Sequence, residues 1–196
     1  MENLTDIQLI DLYLEGNTKA FDGLVNRYSQ ATYRLIVQIV GNKDETHDIV
    51  QETFIKVWKN IKKFDQKRNL KTWIFTIAKR TAIDYLRKRK NVAFSSIDDG
   101  ETETPFGDNI PDDGLLANEI FEKNEDIELI KKALDSISLE NKMIILLHHG
   151  EEMTFDEISI VLEKPMNTIK SQYRRTLIGL RKFLINQNTV KNAPNI

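Results

Sequence analysis

Apolar side chains recur along the first ninety residues at steps of three and four, the spacing that gathers them on one face of an α-helix. Thr5-x-x-Gln8 has the form of a capping box and opens a short helix through Glu15. Asn17 is placed to cap the next helix, in which Phe21, Leu24, Val25, Tyr28, Thr32, Leu35, Ile36 and Ile39 form one stripe ending near Gly41-Asn42. A third helix, from about Asp44 to Lys63, carries Ile49, Val50, Phe54, Val57, Trp58 and Ile61. Phe64-Asp-Gln-Lys-Arg-Asn69 reads as a basic loop. The fourth helix, from about Leu70 to Lys90, turns Leu70, Ile74, Ile77, Ala78, Thr81, Ala82 and Tyr85 inward. Its opposite side shows Thr72, Thr76, Lys79, Arg80, Ile83 and Arg87, with Trp73 at the border. Four such helices make a first domain over residues 1–92.

The period fails after Asn91. Ser95-Ser96, Asp98-Asp-Gly100, Pro105, Gly107, Pro111 and Asp112-Asp-Gly114 are turn and linker residues, so 93–127 is a connector that runs into a helix near Leu115. That helix carries Ile120, Ile127, Ile130 and Leu134. A second domain over 128–185 follows. Ser138 opens a helix through His149, and Thr154-Phe-Asp-Glu157 is a capping box opening a short helix through Leu162. A turn at Glu163-Lys-Pro165 leads into a last helix with Ile169, Tyr173, Leu177, Leu180 and Leu184 on its apolar side. The polar tail, 186–196, is expected to be disordered. The fold class is therefore all-α, two small helical domains joined by a linker.

Composition narrows the chemistry. The chain has 196 residues, 40% of them hydrophobic, enough to bury a core, and no cysteine. Disulfides, thiolate metal sites and cysteine catalysis are excluded together. The polar start and the lack of a long apolar run predict a soluble, cytoplasmic protein with no membrane insertion. Net charge is only −2, but its distribution is strongly blocked. Residues 53–90 hold 13 basic side chains against Asp65 and Asp84; residues 91–128 hold 12 acidic ones against Lys123; residues 164–182 hold six basic and no acidic. Two basic blocks around an acidic one favour a polyanionic partner.

Two short helices, a tight turn and a basic amphipathic helix form a helix-turn-helix pattern. Its second helix must present small polar and cationic side chains near its start, because those reach base edges and phosphates in the major groove. Asn167, Thr168, Lys170, Ser171, Arg174 and Arg175 meet that requirement. Upstream, Asp48-Ile-Val-Gln-Glu-Thr-Phe54 is followed by Ile55-Lys-Val-Trp58, and Leu70-Lys-Thr-Trp-Ile-Phe-Thr-Ile-Ala-Lys-Arg80 by Ala82-Ile-Asp-Tyr-Leu-Arg-Lys-Arg89. Together with Thr154-Phe-Asp-Glu-Ile158 and Asn167-Thr-Ile-Lys-Ser171, these runs resemble the sigma-70 family of bacterial transcription initiation factors, in its small two-domain extracytoplasmic-function (ECF) subclass. The resemblance covers about residues 20–90 and 130–184.

The resemblance implies a sigma region 2-like domain, a region 4-like domain and three working surfaces. Asp48, Gln51, Glu52 and Phe54 correspond to the surface that docks on the β′ clamp helices of core RNA polymerase, although core packing is the favoured reading of Phe54. Phe64, Arg68, Asn69, Lys71, Thr72, Trp73, Thr76, Lys79, Arg80 and Arg87 correspond to −10 recognition and melting, where a basic groove and aromatic or polar pockets hold unstacked bases. Trp58 and Trp73 are alternatives between stacking on bases and core packing, with core favoured for Trp58. Asn167, Thr168, Lys170, Ser171, Arg174 and Arg175 correspond to the −35 reader. Further implied partners are the β flap, promoter DNA and an anti-sigma factor, with the free chain a monomer.

The sequence also departs from the family pattern. Glu163-Lys164 occupies a turn where Gly is common, and Asn167 stands where Gly is common, so a positive φ is expected to fall on Asn. Gln172 and Tyr173 stand where Arg and an aliphatic residue are frequent, which bears on promoter preference.

Enzymatic readings fare poorly. His148 and His149 are about 100° apart on a helix and cannot ligate as an i, i+4 pair. Glu151 and Glu152 read as solvated, and Asp44, His47 and Asp48 as a surface patch. No Gly-rich phosphate loop or nucleophile elbow is present, and neither a cofactor nor a metal is expected. The chain is read as a non-enzymatic subunit; the alternative is a dimeric helix-turn-helix regulator that binds duplex DNA alone.

Overall fold

The computed structural model describes residues 4–95, 132–134 and 136–191. They fall in two compact units, one N-terminal and one C-terminal; among the described residues every regular element is helical. The linker and the helix expected near Leu115 lie outside the described residues, except for a helical turn at 132–134.

The N-terminal unit begins with α1 (Asp6–Leu14), opened by the expected box: Thr5 Oγ1 accepts from Gln8 N at 3.3 Å, and Thr5 N donates to Gln8 Oε1 at 2.8 Å. Helix α2 (Lys19–Val40) starts one residue later than an Asn17 cap requires. Thr18 precedes it without a side-chain cap, and Asn17 contributes its carbonyl to Ala20 N instead. Gly41 ends α2 at φ 75°, a left-handed conformation in which a Cβ would crowd the following carbonyl and which glycine, having none, adopts freely. Asn42 then caps α3 (Lys43–Asn60), accepting from Asp44 N at 2.9 Å and Glu45 N at 3.2 Å. One 3₁₀ turn, Ile61–Lys63, closes it. Helix α4 (Leu70–Ser95) is the longest of this unit and outruns the expected end at Lys90.

Helices α2, α3 and α4 pack pairwise around Leu24, Leu35, Ile36, Ile39, Ile49, Val57, Ile74, Phe75, Ala78 and Ala82, all buried. Helix α1 lies against α2 through Leu9 and Ile10. The approach is close at Gly23, where a Cβ would stand 3.2 Å from Leu9 Cδ2. Polar ties reinforce the apolar contacts. Asp6 accepts from Arg27 and from the Tyr28 hydroxyl, and Glu45 at the start of α3 binds Arg89 of α4 at 3.0 Å. Burial, then the hydrogen bond and charge of Asp6, push the Tyr28 phenol well above its ordinary pKa. Desolvation and Glu45 raise Tyr85 in the same direction.

The C-terminal unit holds α5 (Leu139–Ile145), capped by Ser138, then a π-helical turn over Leu146–Gly150. The box at Thr154 forms as expected: Thr154 N donates to Glu157 Oε2 at 2.8 Å and Glu157 N to Thr154 Oγ1 at 3.3 Å. It opens α6 (Phe155–Leu162). Helix α7 (Met166–Lys191) follows and continues through residues expected to be disordered. No Gly or Pro interrupts 186–191, so each added residue extends the backbone ladder without a breaker. Residues 192–196 lie outside the described residues. Met143, Ile144, Leu147, Met153, Ile158 and Ile169 make the core of this unit.

Candidate polymerase and nucleic-acid interfaces

Three helices carry the candidate surfaces. On α3, Asp48, Gln51 and Glu52 are exposed and share one face with Ile55 and Trp58, each 51% exposed. Glu52 pairs with Lys56 at 2.9 Å on the surface. One alternative is decided here and one expectation changes. Phe54 is only 7% exposed, so it belongs to the core and not to the docking face. Trp58, expected in the core, stands half in solvent. Ile55 belongs neither to the apolar set expected inward on this helix nor to the expected docking set. The signal that could have found it is the register: Ile55 and Trp58 follow Asp48, Gln51 and Glu52 at helical spacing, away from Ile49, Thr53 and Val57, which are buried.

Helix α4 presents Thr76, Lys79, Arg80 and Arg87 on one side, with Arg80 and Arg87 exposed and Thr76 and Lys79 half-buried. Arg87 also lies 3.7 Å from Asp84. The first turn behaves differently. Thr72 is 4% exposed, with its hydroxyl out of reach of solvent, so it is removed from the DNA-facing set. Asn69 is exposed but takes on a structural task, its Oδ1 accepting from Thr72 N at 3.1 Å as the cap of α4. Lys71 lies toward the opposite flank, its ammonium 5.7 Å from the centre of the Phe75 ring. Phe64 and Trp73 are both half-buried and pack together, ring centres 4.9 Å apart. Arg68 is exposed beside Asp65 in the loop before α4.

Helix α7 keeps all six candidates in solvent: Asn167, Thr168, Lys170, Ser171, Arg174 and Arg175 are exposed, while Ile169 and Thr176 are buried behind them. The positive φ falls on Glu163, at 57°, not on Asn167, which sits inside the first turn of α7. Lys164 N returns to Ser159 O at 3.0 Å, the six-to-one bond of a left-handed helix stop. The two unusual residues of α7 both face protein. Gln172 Nε2 donates to Glu140 Oε1 at 2.7 Å, and the Tyr173 hydroxyl lies 2.8 Å from His149 Nε2. His148 stacks on Phe155 with ring centres 4.4 Å apart, and its Nδ1 sits 2.9 Å from the Met153 carbonyl, which can only accept, so Nδ1 carries the proton. Glu151, expected in solvent, is 6% exposed; Glu152 is the exposed one, at φ 54°. The His47 ring packs on Tyr33 at 4.9 Å.

Sigma-70 region 2 matches residues 24–92, and Sigma-70, region 4 matches residues 127–178. The ECF RNA polymerase sigma factor SigW of Bacillus subtilis (strain 168) is 30% identical over 171 residues, 87% of this chain and 91% of that protein. The chain belongs to the ECF sigma factors. SigX of the same organism is 26% identical over 166 residues, 85% of this chain and 84% of its own length. In fold, this sigma factor is similar to RpoE in the co-crystal structure of that sigma factor with the anti-sigma factor NepR from Bartonella quintana. There the TM-score is 0.63 at 23% identity, over 85% of this chain and 97% of that one. An ECF sigma factor is a transcription initiation factor: it binds core RNA polymerase and directs it to promoters. The alternative of a regulator acting alone on duplex DNA does not account for a region 2 match across α2, α3 and α4. No helix among the described residues is long and apolar enough to cross a membrane.

Proposed function

We propose that this sigma factor divides promoter recognition among three helical faces. The α3 face, with Asp48, Gln51, Glu52, Ile55 and Trp58, docks on the β′ clamp helices. Its mixture of exposed apolar and acidic side chains is what a protein interface needs and a nucleic-acid surface does not. The α4 face, with Thr76, Lys79, Arg80 and Arg87 and the Phe64–Trp73 pair at its end, engages the −10 element as it opens. The α7 face reads the −35 element in the duplex, while the β flap holds the C-terminal unit. Region 2-like function is assigned to 1–92 and region 4-like function to 128–185, with 93–127 as connector.

The observation that carries this reading is the segregation of chemistry by helix. Exposed apolar groups accompany carboxylates on the α3 face, and cations accompany small polar groups on α4 and over residues 167–175 of α7, beyond which α7 also exposes Leu177, Ile178 and Ile185. The chain itself is no catalyst in this reading; the polymerase it recruits makes the bonds. It acts in the cytoplasm, is a monomer when free, and is held off promoters by an anti-sigma partner; the similar sigma factor RpoE forms a complex with the anti-sigma factor NepR.

The test is reconstitution with core polymerase on a promoter library. Promoter-specific transcripts that vanish with Trp58→Ala or Gln51→Ala, while duplex −35 binding persists, support the division. Loss of duplex binding in those variants counts against it.

A further inference from the structure

Glu140 sits on α5, away from the face of α7 that is read as DNA-contacting, yet it is bonded to the helix-turn-helix at two places. Its carboxylate takes Lys164 Nζ at 2.7 Å on Oε1 and 2.6 Å on Oε2, and Gln172 Nε2 at 2.7 Å on Oε1. Lys164 belongs to the turn between α6 and α7; Gln172 lies in the second turn of α7, next to Ser171 and one turn beyond Thr168. The group is half-buried, with side-chain exposures of 39% for Lys164 and 34% for Glu140. Charge-assisted hydrogen bonds are shorter and stronger than neutral ones.

We infer that Glu140 is a positioning residue for −35 recognition, one that sets the rotation of α7 by holding the turn and the helix to the same carboxylate. This rests on the reading of α7 as the −35 helix. The geometry makes rotation matter. A side-chain tip lies 5–6 Å from its helix axis, so a rotation of about 20° displaces it by about 2 Å, more than a base-edge hydrogen bond tolerates. Asn167, Ser171 and Arg174 share one face of α7, and Gln172 stands beside that face on the protein side. Anchoring Gln172 therefore fixes where all three point. The left-handed Glu163 delivers Lys164 to the same carboxylate, which ties the end of α6 to α7 through the turn. Glu140 also neutralises Lys164, so this turn adds less sequence-independent attraction to phosphate. Both effects favour discrimination over raw affinity.

The experiment uses the full chain with core polymerase, and compares a cognate −35 duplex with a scrambled one, by binding and by transcription. Glu140→Gln keeps the size and the hydrogen-bonding reach but removes the charge. Discrimination is expected to fall about tenfold, the loss of one well-aligned base contact, with binding to the scrambled duplex unchanged or tighter. Lys164→Met, at a turn position that leaves the core intact, is expected to give a smaller loss in the same direction. The charge exchange Glu140→Lys with Lys164→Glu, which re-forms the ion pair, is expected to recover part of the discrimination. Unchanged discrimination in folded Glu140→Gln and Lys164→Met proteins would overturn the assignment. So would a parallel loss on both duplexes, the mark of a merely structural residue. If the native chain itself does not distinguish the two duplexes, and Arg174→Ala changes nothing, the −35 reading of α7 fails independently of Glu140.

Discussion

Helices α4 and α7 are both basic and both 26 residues long, yet they present their candidate residues in different ways. Helix α7 keeps all six of its candidates in solvent. Helix α4 loses Thr72 to burial, turns Lys71 toward Phe75, and packs Trp73 against Phe64. The difference lies in what covers each helix. Helix α4 is flanked by α2 and α3, and Phe64 of the segment before it packs on Trp73 in its first turn. Helix α7 leans on its own unit through Ile169, Gln172, Tyr173 and Thr176, and leaves the rest of its first three turns free. A helical wheel sees a side chain's azimuth but not what the preceding loop lays over it.

The contrast can be broken first at its thermodynamic base. Phe75→Ala removes a fully buried ring at the back of α4 and is expected to destabilise the N-terminal unit by about 3–5 kcal/mol, read by urea denaturation. No exposed substitution on α7 is expected to approach that. A cost below about 1 kcal/mol would mean that α4 is not held as described. Trp58→Ala follows, with little effect on folding and a loss of about 2 kcal/mol in affinity for core polymerase, the behaviour of an exposed aromatic anchor. Titration of labelled core separates the two effects. Arg174→Ala is expected to lower −35 discrimination by about 1–3 kcal/mol without moving the unfolding midpoint. Arg80→Ala instead weakens DNA binding across sequences and makes the salt slope shallower by about one phosphate contact.

Asn69→Ala sharpens the comparison from the other side. If Asn69 serves as a cap, the substitution costs about 1 kcal/mol of stability, and melting of −10 DNA changes only as far as the fold does. A selective loss of melting in a fully stable protein would return Asn69 to the DNA-facing set. The smallest effect is one of pH. The Tyr28 phenol is raised by burial and by Asp6, so the folded state holds its proton more tightly than the unfolded chain does. That stability is fully present below the ordinary phenol pKa of about 10 and is lost as pH rises beyond it. Tyr28→Phe is expected to flatten the alkaline arm of the stability curve, and an unaltered arm would contradict the Asp6 contact.

Much of this was legible in the chain. The caps at Thr5 and Thr154 and the stop at Gly41 are local, fixed by residues a few positions away, and each appears where short-range chemistry puts it. The exposed face of α7 was legible for a related reason: an unbroken run without acids needs no tertiary information to be assigned to solvent. What could not be read depends on distant neighbours. Trp58 was assigned inward because large aromatics usually are, whereas the neighbouring helices are already filled by Phe54 and Val57 from the same helix. Glu151 was assigned outward for the converse reason. The left-handed residue was expected at Asn167, since asparagine tolerates that conformation best. The hydrogen bond from Lys164 N to Ser159 O puts it at Glu163, where the helix stop requires it.

The division of labour between α4 and α7 is tested most directly by probing strand opening on one promoter with each face disabled in turn. Holoenzyme carrying Lys79→Ala, Arg80→Ala and Arg87→Ala is expected to protect the −35 duplex while the −10 thymines stay unreactive to permanganate. Holoenzyme carrying Ser171→Ala and Arg174→Ala is expected to lose −35 protection, yet to open a −10 region supplied as a pre-melted bubble. If both proteins fail at the same step and to the same degree, the two faces are not separate instruments and the account is wrong.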